Sequence, residues 1–305
     1  MFFFLISGHG NQRRQVTYSG REDYLSTTTY LFGSDSGNPI ELAAGLHTYS
    51  FACALPQKLP SSFEAKNGYV RYIVRSTLDR PWKFDLAFKL PFTVIKHEDL
   101  NMLSPALKTP SKTQVSKSFY CCCFKSKPLL MKVSLPFSGY VPGQSVVVVI
   151  ELNNQSNVDV EGVKLALEKT ITYTSQSPRP KIKIEHGVVK EVFGVGVLNA
   201  CTGQVAVNLV VPPIPPTNIN SCKVLKVAYT LKVLAKVNGA HRNPFVTIPI
   251  TIGTIPLSFD TRQTPNQNTS VIASGSNQPS APVLDSRDLR KLMISKNYLL
   301  LCTKY

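Results

Sequence analysis

Hydrophobic and polar positions alternate with a period of two along much of this chain. Val70, Tyr72 and Val74 share one face, with Arg71, Ile73 and Arg75 on the other. Phe84, Leu86, Phe88 and Leu90 oppose Asp85, Ala87 and Lys89. Val163, Leu165 and Leu167 oppose Lys164, Ala166 and Glu168, and Ile182 and Ile184 oppose Lys181 and Lys183. The longest run sets Leu225, Val227, Tyr229, Leu231 and Val233 against Lys226, Ala228, Thr230 and Lys232. Val246, Ile248, Ile250 and Ile252 then alternate with Thr247, Pro249 and Thr251. Successive side chains of a strand point to opposite faces, so each run predicts a strand with one buried and one wet side. Pro249 has no N–H to donate, which predicts an edge or bulged position. No amphipathic helix is legible within 16–256.

Turn residues fall between these runs: Asp79-Arg80-Pro81, Pro142-Gly143, Asn153-Asn154 and Asn238-Gly239. The reading is all-β, with antiparallel meanders forming two packed sheets per domain. Strand blocks at about 16–98 and 129–256 divide the chain into a domain over 1–100, a Ser-, Thr-, Lys- and Pro-rich linker over 101–128, a second domain over 129–257, and a polar tail over 258–305 whose composition predicts disorder. A length of 305 residues allows two separate cores.

Several motifs go beyond periodicity. Gly45-Leu46-His47-Thr48-Tyr49-Ser50-Phe51, Leu59-Pro60-Ser61-Ser62-Phe63-Glu64, Gly68-Tyr69-Val70-Arg71-Tyr72, Leu78-Asp79-Arg80-Pro81-Trp82 and Asp99-Leu100-Asn101 resemble, in that order, the N-domain of α-arrestins, the arrestin domain-containing proteins. Gly139-Tyr140-Val141-Pro142-Gly143-Gln144 resembles the opening of the family's C-domain, and Ile252-Gly253-Thr254-Ile255-Pro256-Leu257 its closing strand. The resemblance covers about 16–257. It implies two tandem arrestin-type, immunoglobulin-like β-sandwiches and an adaptor that binds membrane receptors or transporters and influences their endocytosis, sorting and ubiquitination. It also implies cytoplasmic localisation with peripheral association to plasma membrane or endosomes. The sequence departs from the family in two places. Only about seventeen residues precede the segment around Tyr18–Tyr24, so the N-domain reads as shortened, with about five strands where an immunoglobulin-like sandwich uses about seven. Many family members recruit HECT-type ubiquitin ligases through a Pro-Pro-any-Tyr tail motif; here Tyr298 follows Ser295-Lys296-Asn297 and Tyr305 follows Cys302-Thr303-Lys304.

Charge changes the picture of partners. The formal net charge is +16, and both 100–150 and 192–259 lack any Asp or Glu. Such a field attracts phosphates and anionic lipid headgroups, which makes an anionic membrane surface a candidate partner. Lys226, Lys232 and Lys236, Lys181 and Lys183, and Arg71 and Arg75 form three sets sharing a strand face, and are the candidate anion- or phosphate-binding residues. Nucleic acid is disfavoured, because Tyr72 and Tyr229 fall on apolar faces instead of interleaving with the basic residues.

No catalytic constellation is legible. The five His belong to no metal-binding motif, and Gly194-Val195-Gly196 lacks the third glycine of a dinucleotide loop, so neither an enzyme nor a cofactor is expected. No run approaches the ~18 apolar residues of a membrane span. Phe2–Ile6 is too short for a secretory core, and with an odd cysteine count of 7 this predicts a cytosolic chain. Cys121, Cys122 and Cys123, flanked by aromatics and Lys117, Lys125 and Lys127, are candidate lipidation sites, since lipid plus basic residues makes a two-signal anchor; a strand edge rich in small apolar residues is the other reading. Cys222, just ahead of the longest alternating run, is the candidate reactive thiol of an alternative function, a thiol-dependent regulator of the thioredoxin-interacting type.

Overall fold

The computed structural model describes residues 2–7, 14–34, 40–80, 82–121, 124–217 and 222–259, and nearly all of its regular structure is strand. The expected tail lies almost wholly outside these residues. Contacts group the chain into two compact units. One comprises Met1–Tyr24, Gln57–Thr77 and Ala87–Ser258; the other comprises Leu25–Pro56, Leu78–Leu86 and Phe259–Tyr305. In the second unit the described backbone is largely irregular, with a ring contact between Phe32 and Tyr49 at 6.2 Å.

The amino-terminal block forms short two-stranded sheets. β1 (Phe2–Ser7) pairs antiparallel with β2 (Arg14–Ser19), β3 (Phe63–Ala65) with β4 (Gly68–Val70), and β5 (Tyr72–Leu78) lies beside β6 (Leu86–Phe92). The segment Phe2–Ile6 is thus part of a strand bonded to the Tyr18 strand.

Two 3-10 turns, Leu100–Met102 and Pro105–Lys108, lead into β7 (Ser111–Lys117) and a small hairpin of β8 (Tyr120–Cys121) and β9 (Phe124–Lys125). Then come β10 (Leu129–Leu135), β11 (Gly139–Tyr140), β12 (Ser145–Asn154), β13 (Val160–Thr174), β14 (Ile182–Val197), β15 (Cys201–Val210), β16 (Leu225–Val237) and β17 (Phe245–Ile252). They build two sheets, in the orders β15-β12-β10-β7 and β11-β17-β16-β13-β14.

Inner faces of these two sheets make the core. Leu129, Met131, Val133 and Leu135 on β10 and Val146, Val148, Ile150 and Leu152 on β12 are buried. Facing them from the other sheet are Val163, Leu165 and Leu167 on β13, Leu225, Val227, Tyr229, Leu231 and Val233 on β16, and Val246, Ile248, Ile250 and Ile252 on β17. Burying one such aliphatic side chain contributes roughly 1.5–3 kcal/mol. The Tyr229 hydroxyl donates to the Pro215 carbonyl at 2.8 Å, so the one polar atom of that row is satisfied. Gly143, with φ 87°, occupies the left-handed third position of the Pro142-Gly143 turn, closed by the Gln144 N–H donating to the Val141 carbonyl.

Three expectations change. The stretch 101–128 is not a plain linker: β7 pairs with β10 along its whole length and forms an edge of the second sandwich. Its residues Ser-Lys-Thr-Gln-Val-Ser-Lys carry one aliphatic position, the composition of a polar edge strand, and so show no hydrophobic period. The second correction concerns Phe84, just ahead of β6, and Leu86, Phe88 and Leu90 on it, which are exposed, Phe84 at 94%, because no second sheet among the described residues covers β6. Third, Ile182 and Ile184 alternate as expected but point outward, while Lys183 and Glu185 face inward to meet polar partners. Pro249 sits opposite Thr230 where β17 has no β11 neighbour, so its missing donor falls on a locally open stretch.

Candidate interaction surfaces

The motifs of the two halves converge. Asp99 and Ile255 form a parallel bridge, and the Leu100 N–H donates to the Ile255 carbonyl at 3.3 Å. Asn101 donates from its side-chain amide to the Pro256 carbonyl, while its side-chain oxygen accepts from the Ser258 N–H. Gly253 is required here: a Cβ would stand 2.6 Å from Leu100 Cγ and 2.8 Å from the Glu98 carbonyl oxygen. Beside it, β11 runs parallel to the end of β17, pairing Tyr140 with Ile252. Leu100 and Tyr140 are fully buried. Asp99-Leu100-Asn101, Gly139-Tyr140 and Ile252–Leu257 are therefore one clasp holding the end of the first block on the second sandwich.

Further seams fasten the first block to β13, β14 and β16. Ser19 bridges to Ser177. Asn67, in the turn between β3 and β4, donates to Glu185 at 3.0 Å and accepts from Lys183 at 3.1 Å. Tyr173 also donates to Glu185, and Lys169 lies 5.9 Å above the Phe63 ring. The alternation rule alone assigned Lys183 to a wet face and missed Asn67 and Glu185 altogether; polar residues meeting across a domain seam leave no periodic signal.

The candidate anion-binding residues do not form one site. Lys232 pairs with Glu168 at 3.4 Å and Lys236 with Glu161 at 2.7 Å. Lys183 is engaged by Asn67. Arg71 is forked onto Glu64 and stacks over the Tyr69 ring at 3.9 Å; that pairing holds the Glu64 carboxyl below its ordinary pKa. Lys181, Lys226 and Arg75 are exposed. On the outer face of the five-stranded sheet cations alternate with carboxylates, including Lys164 with Glu191, which neutralises the ladder locally. Among the described residues, the candidate cations lie on separate strands and do not share a pocket.

Cys121 belongs to β8, where it opposes Phe124; Cys122 and Cys123 lie outside the described residues. The neighbouring Tyr120 and Phe124 are exposed. Cys222 is 3% exposed. Its sulfur accepts from the Tyr24 hydroxyl at 2.9 Å and from the Leu225 N–H at 3.2 Å. Burial pushes its pKa up despite those donors. The single Tyr24 hydroxyl hydrogen is shared with Glu22, whose carboxylate also accepts from the Lys223 N–H, so the thiol sits inside a hydrogen-bonded seam. A buried, protonated thiol is a poor nucleophile. Cys53 and Cys201 are exposed by contrast. No cluster of His, Cys, Asp or Glu among the described residues could hold a metal ion, and no described helix is long and apolar enough to cross a membrane.

A sandwich of this order, clasped to a smaller amino-terminal β block, defines a protein of the tandem arrestin-domain class. Residues 8–101 match the family model described as Arrestin (or S-antigen), N-terminal domain, and residues 125–257 match Arrestin (or S-antigen), C-terminal domain. Arrestin domain-containing protein 4 of Mus musculus is 30% identical over 246 residues, covering 79% of this chain and 57% of that protein. Arrestin domain-containing protein 17 of Caenorhabditis elegans is 27% identical over 217 residues, 70% of this chain and 50% of that protein. Arrestin domain-containing protein 1 of Homo sapiens is 26% identical over 252 residues, covering 82% and 55%. The chain belongs to the arrestin domain-containing, or α-arrestin, family. It spans about half the length of these relatives.

Proposed function

We propose that this protein is a non-enzymatic cytosolic adaptor that binds membrane receptors or transporters, associates peripherally with plasma membrane or endosomes, and influences the endocytosis, sorting and ubiquitination of its cargo. The observation that supports this most is the presence of both arrestin domains in order, with the family motifs at 99–101, 139–140 and 252–257 assembled into one clasp. That clasp fits a platform that presents surfaces and is consistent with recognition through exposed strands. The excess of 34 Lys and Arg over 18 Asp and Glu favours the anionic face of a membrane by long-range attraction. The thioredoxin-interacting alternative needs an accessible thiol at Cys222, and the burial of that sulfur counts against it.

Proximity labelling tests the adaptor reading. The full chain fused to a biotin-transferring enzyme should enrich integral membrane proteins over a soluble control fusion. Enrichment confined to soluble proteins would overturn it.

A further inference from the structure

The edge strand β14 carries a feature that the adaptor role does not use. It ends the five-stranded sheet, pairing with β13 on one side and, among the described residues, with no other strand in the sheet order. Its outward row is mostly apolar, broken by His186 and Glu191: Ile182 is 61% exposed, Ile184 54%, Val188 55%, Phe193 72% and Val195 70%. Long exposed edges of this kind template pairing with another strand.

A bulge decides which strand fits. Glu168 of β13 pairs with Val188 and Leu167 with Lys190, so Val189 is an extra residue. It reverses the alternation: before it the exposed side chains are Ile182, Ile184, His186 and Val188, with Gly187 exposed as well, and after it Glu191, Phe193 and Val195. A strand paired antiparallel with its own copy sets residues about a two-fold axis. With the axis through the 188–189 peptide, the reversal places the exposed side chains on the two arms of the strand opposite exposed ones. Ile182 then faces Val195 of the second copy, Ile184 faces Phe193, His186 faces Glu191 and Val188 faces Val189. On the other side of the sheet Lys183 faces Gly194, Glu185 faces Val192 and Gly187 faces Lys190. No like charges stand opposite one another, and Glu185 lies diagonal to Lys190 of the second copy, within reach of long side chains. Among pairings that use the whole strand, moving the axis one residue either way sets Glu191 against Ile184 or against Val188, so the full-length match favours the 188–189 axis. Such a self-complementary patch is what a two-fold dimer requires.

We infer that β14 is the dimer edge of this protein, joining two five-stranded sheets into one continuous ten-stranded sheet through antiparallel β14–β14 pairing about the 188–189 peptide.

Light scattering on the size-excluded full chain tests this with matched variants. The wild-type chain should run at twice the 33.6 kDa of one chain. Ile184→Glu/Phe193→Glu places Glu against Glu at two positions and should be monomeric, as should Ile184→Lys/Phe193→Lys. An equimolar mixture of the two double variants should recover the dimer mass through Glu–Lys pairs. Both residues are exposed, and circular dichroism checks that the variants keep their strand signal. If either variant is misfolded, hydrogen exchange of the wild-type chain decides instead: amides of 182–196 should lose protection on dilution. A monomeric wild-type chain, leaving the edge to a foreign extended peptide, would overturn the inference. So would a dimer that survives the double Glu substitution, or unchanged protection on dilution. None of these outcomes bears on cargo binding, which the labelling experiment reads separately.

Discussion

Two rows of alternating apolar residues, almost indistinguishable as text, meet opposite fates. Leu225, Val227, Tyr229, Leu231 and Val233 lie flat in the core, each 1% exposed or less. Phe84, Leu86, Phe88 and Leu90 stand in solvent. Both satisfy the period of two, and the difference is in what lies across from them. β16 has strands on both sides and a four-stranded sheet above it. β6 has β5 for a neighbour and no covering sheet among the described residues. Alternation specifies that a strand has an apolar face; a second sheet is needed to bury it. Of the residues buried in the first block, Tyr18, Phe63 and Leu100 lie beside or in the seams with the second sandwich.

Truncation should expose that difference most strongly. Leu231→Ala empties a fully buried site and should lower stability by about 2–5 kcal/mol, whereas Phe88→Ala, at 56% exposure, should stay within about 0.5 kcal/mol. Urea titration of both variants measures the contrast; equal losses would mean that β6 is covered in solution. The clasp comes next. Gly253→Ala drives a Cβ into Leu100 and the Glu98 carbonyl, and overpacking of this kind costs about 1–3 kcal/mol. Its denaturation midpoint should fall. If the first block hangs on the second, residues 57–77 should lose hydrogen-exchange protection in the same variant.

The Asn67 seam should matter less. Asn67→Ala removes bonds to Glu185 and Lys183 that are partly exposed, a loss of about 1 kcal/mol. Alkali should act on both blocks. Burial raises the phenol pKa of Tyr72 and of Tyr173 to about 12. An unfolded tyrosine titrates near 10. The folded chain therefore holds protons that the unfolded chain releases, so this stability is complete below about pH 10 and is lost between about 10 and 12. Melting temperature against pH should fall across that window; a flat profile would contradict the burial of these phenols. The smallest effect is a rate: alkylation at neutral pH should modify Cys53 and Cys201 first and reach Cys222 only when the Tyr24 seam opens.

Much of the second sandwich was legible, because its strands carry regular apolar rows and its turns carry Pro-Gly and Asn-Gly. The family motifs were legible too, and the structure explains three of them as parts of one clasp. Other features left no such trace. β7 is polar because it is an edge, so its residues read as linker. The first half of β14 keeps its alternation yet turns it inside out, since Asn67 meets the Lys183 and Glu185 side. The carboxylates that pair with Lys232 and Lys236 come from β13, far away in sequence. Sequence period shows which residues share a face; which face is buried depends on partners that pattern does not name.

Limited proteolysis of the full chain, read by mass spectrometry, tests most directly the claim that the second sandwich is closed while the first block survives only where it is docked. Residues 57–77 and 111–258 should persist as protected fragments, with early cuts within 25–56 and 78–86. Equal resistance across 25–100 and 111–258 would contradict the account, for it would require that Phe84, Leu86, Phe88 and Leu90 be covered after all.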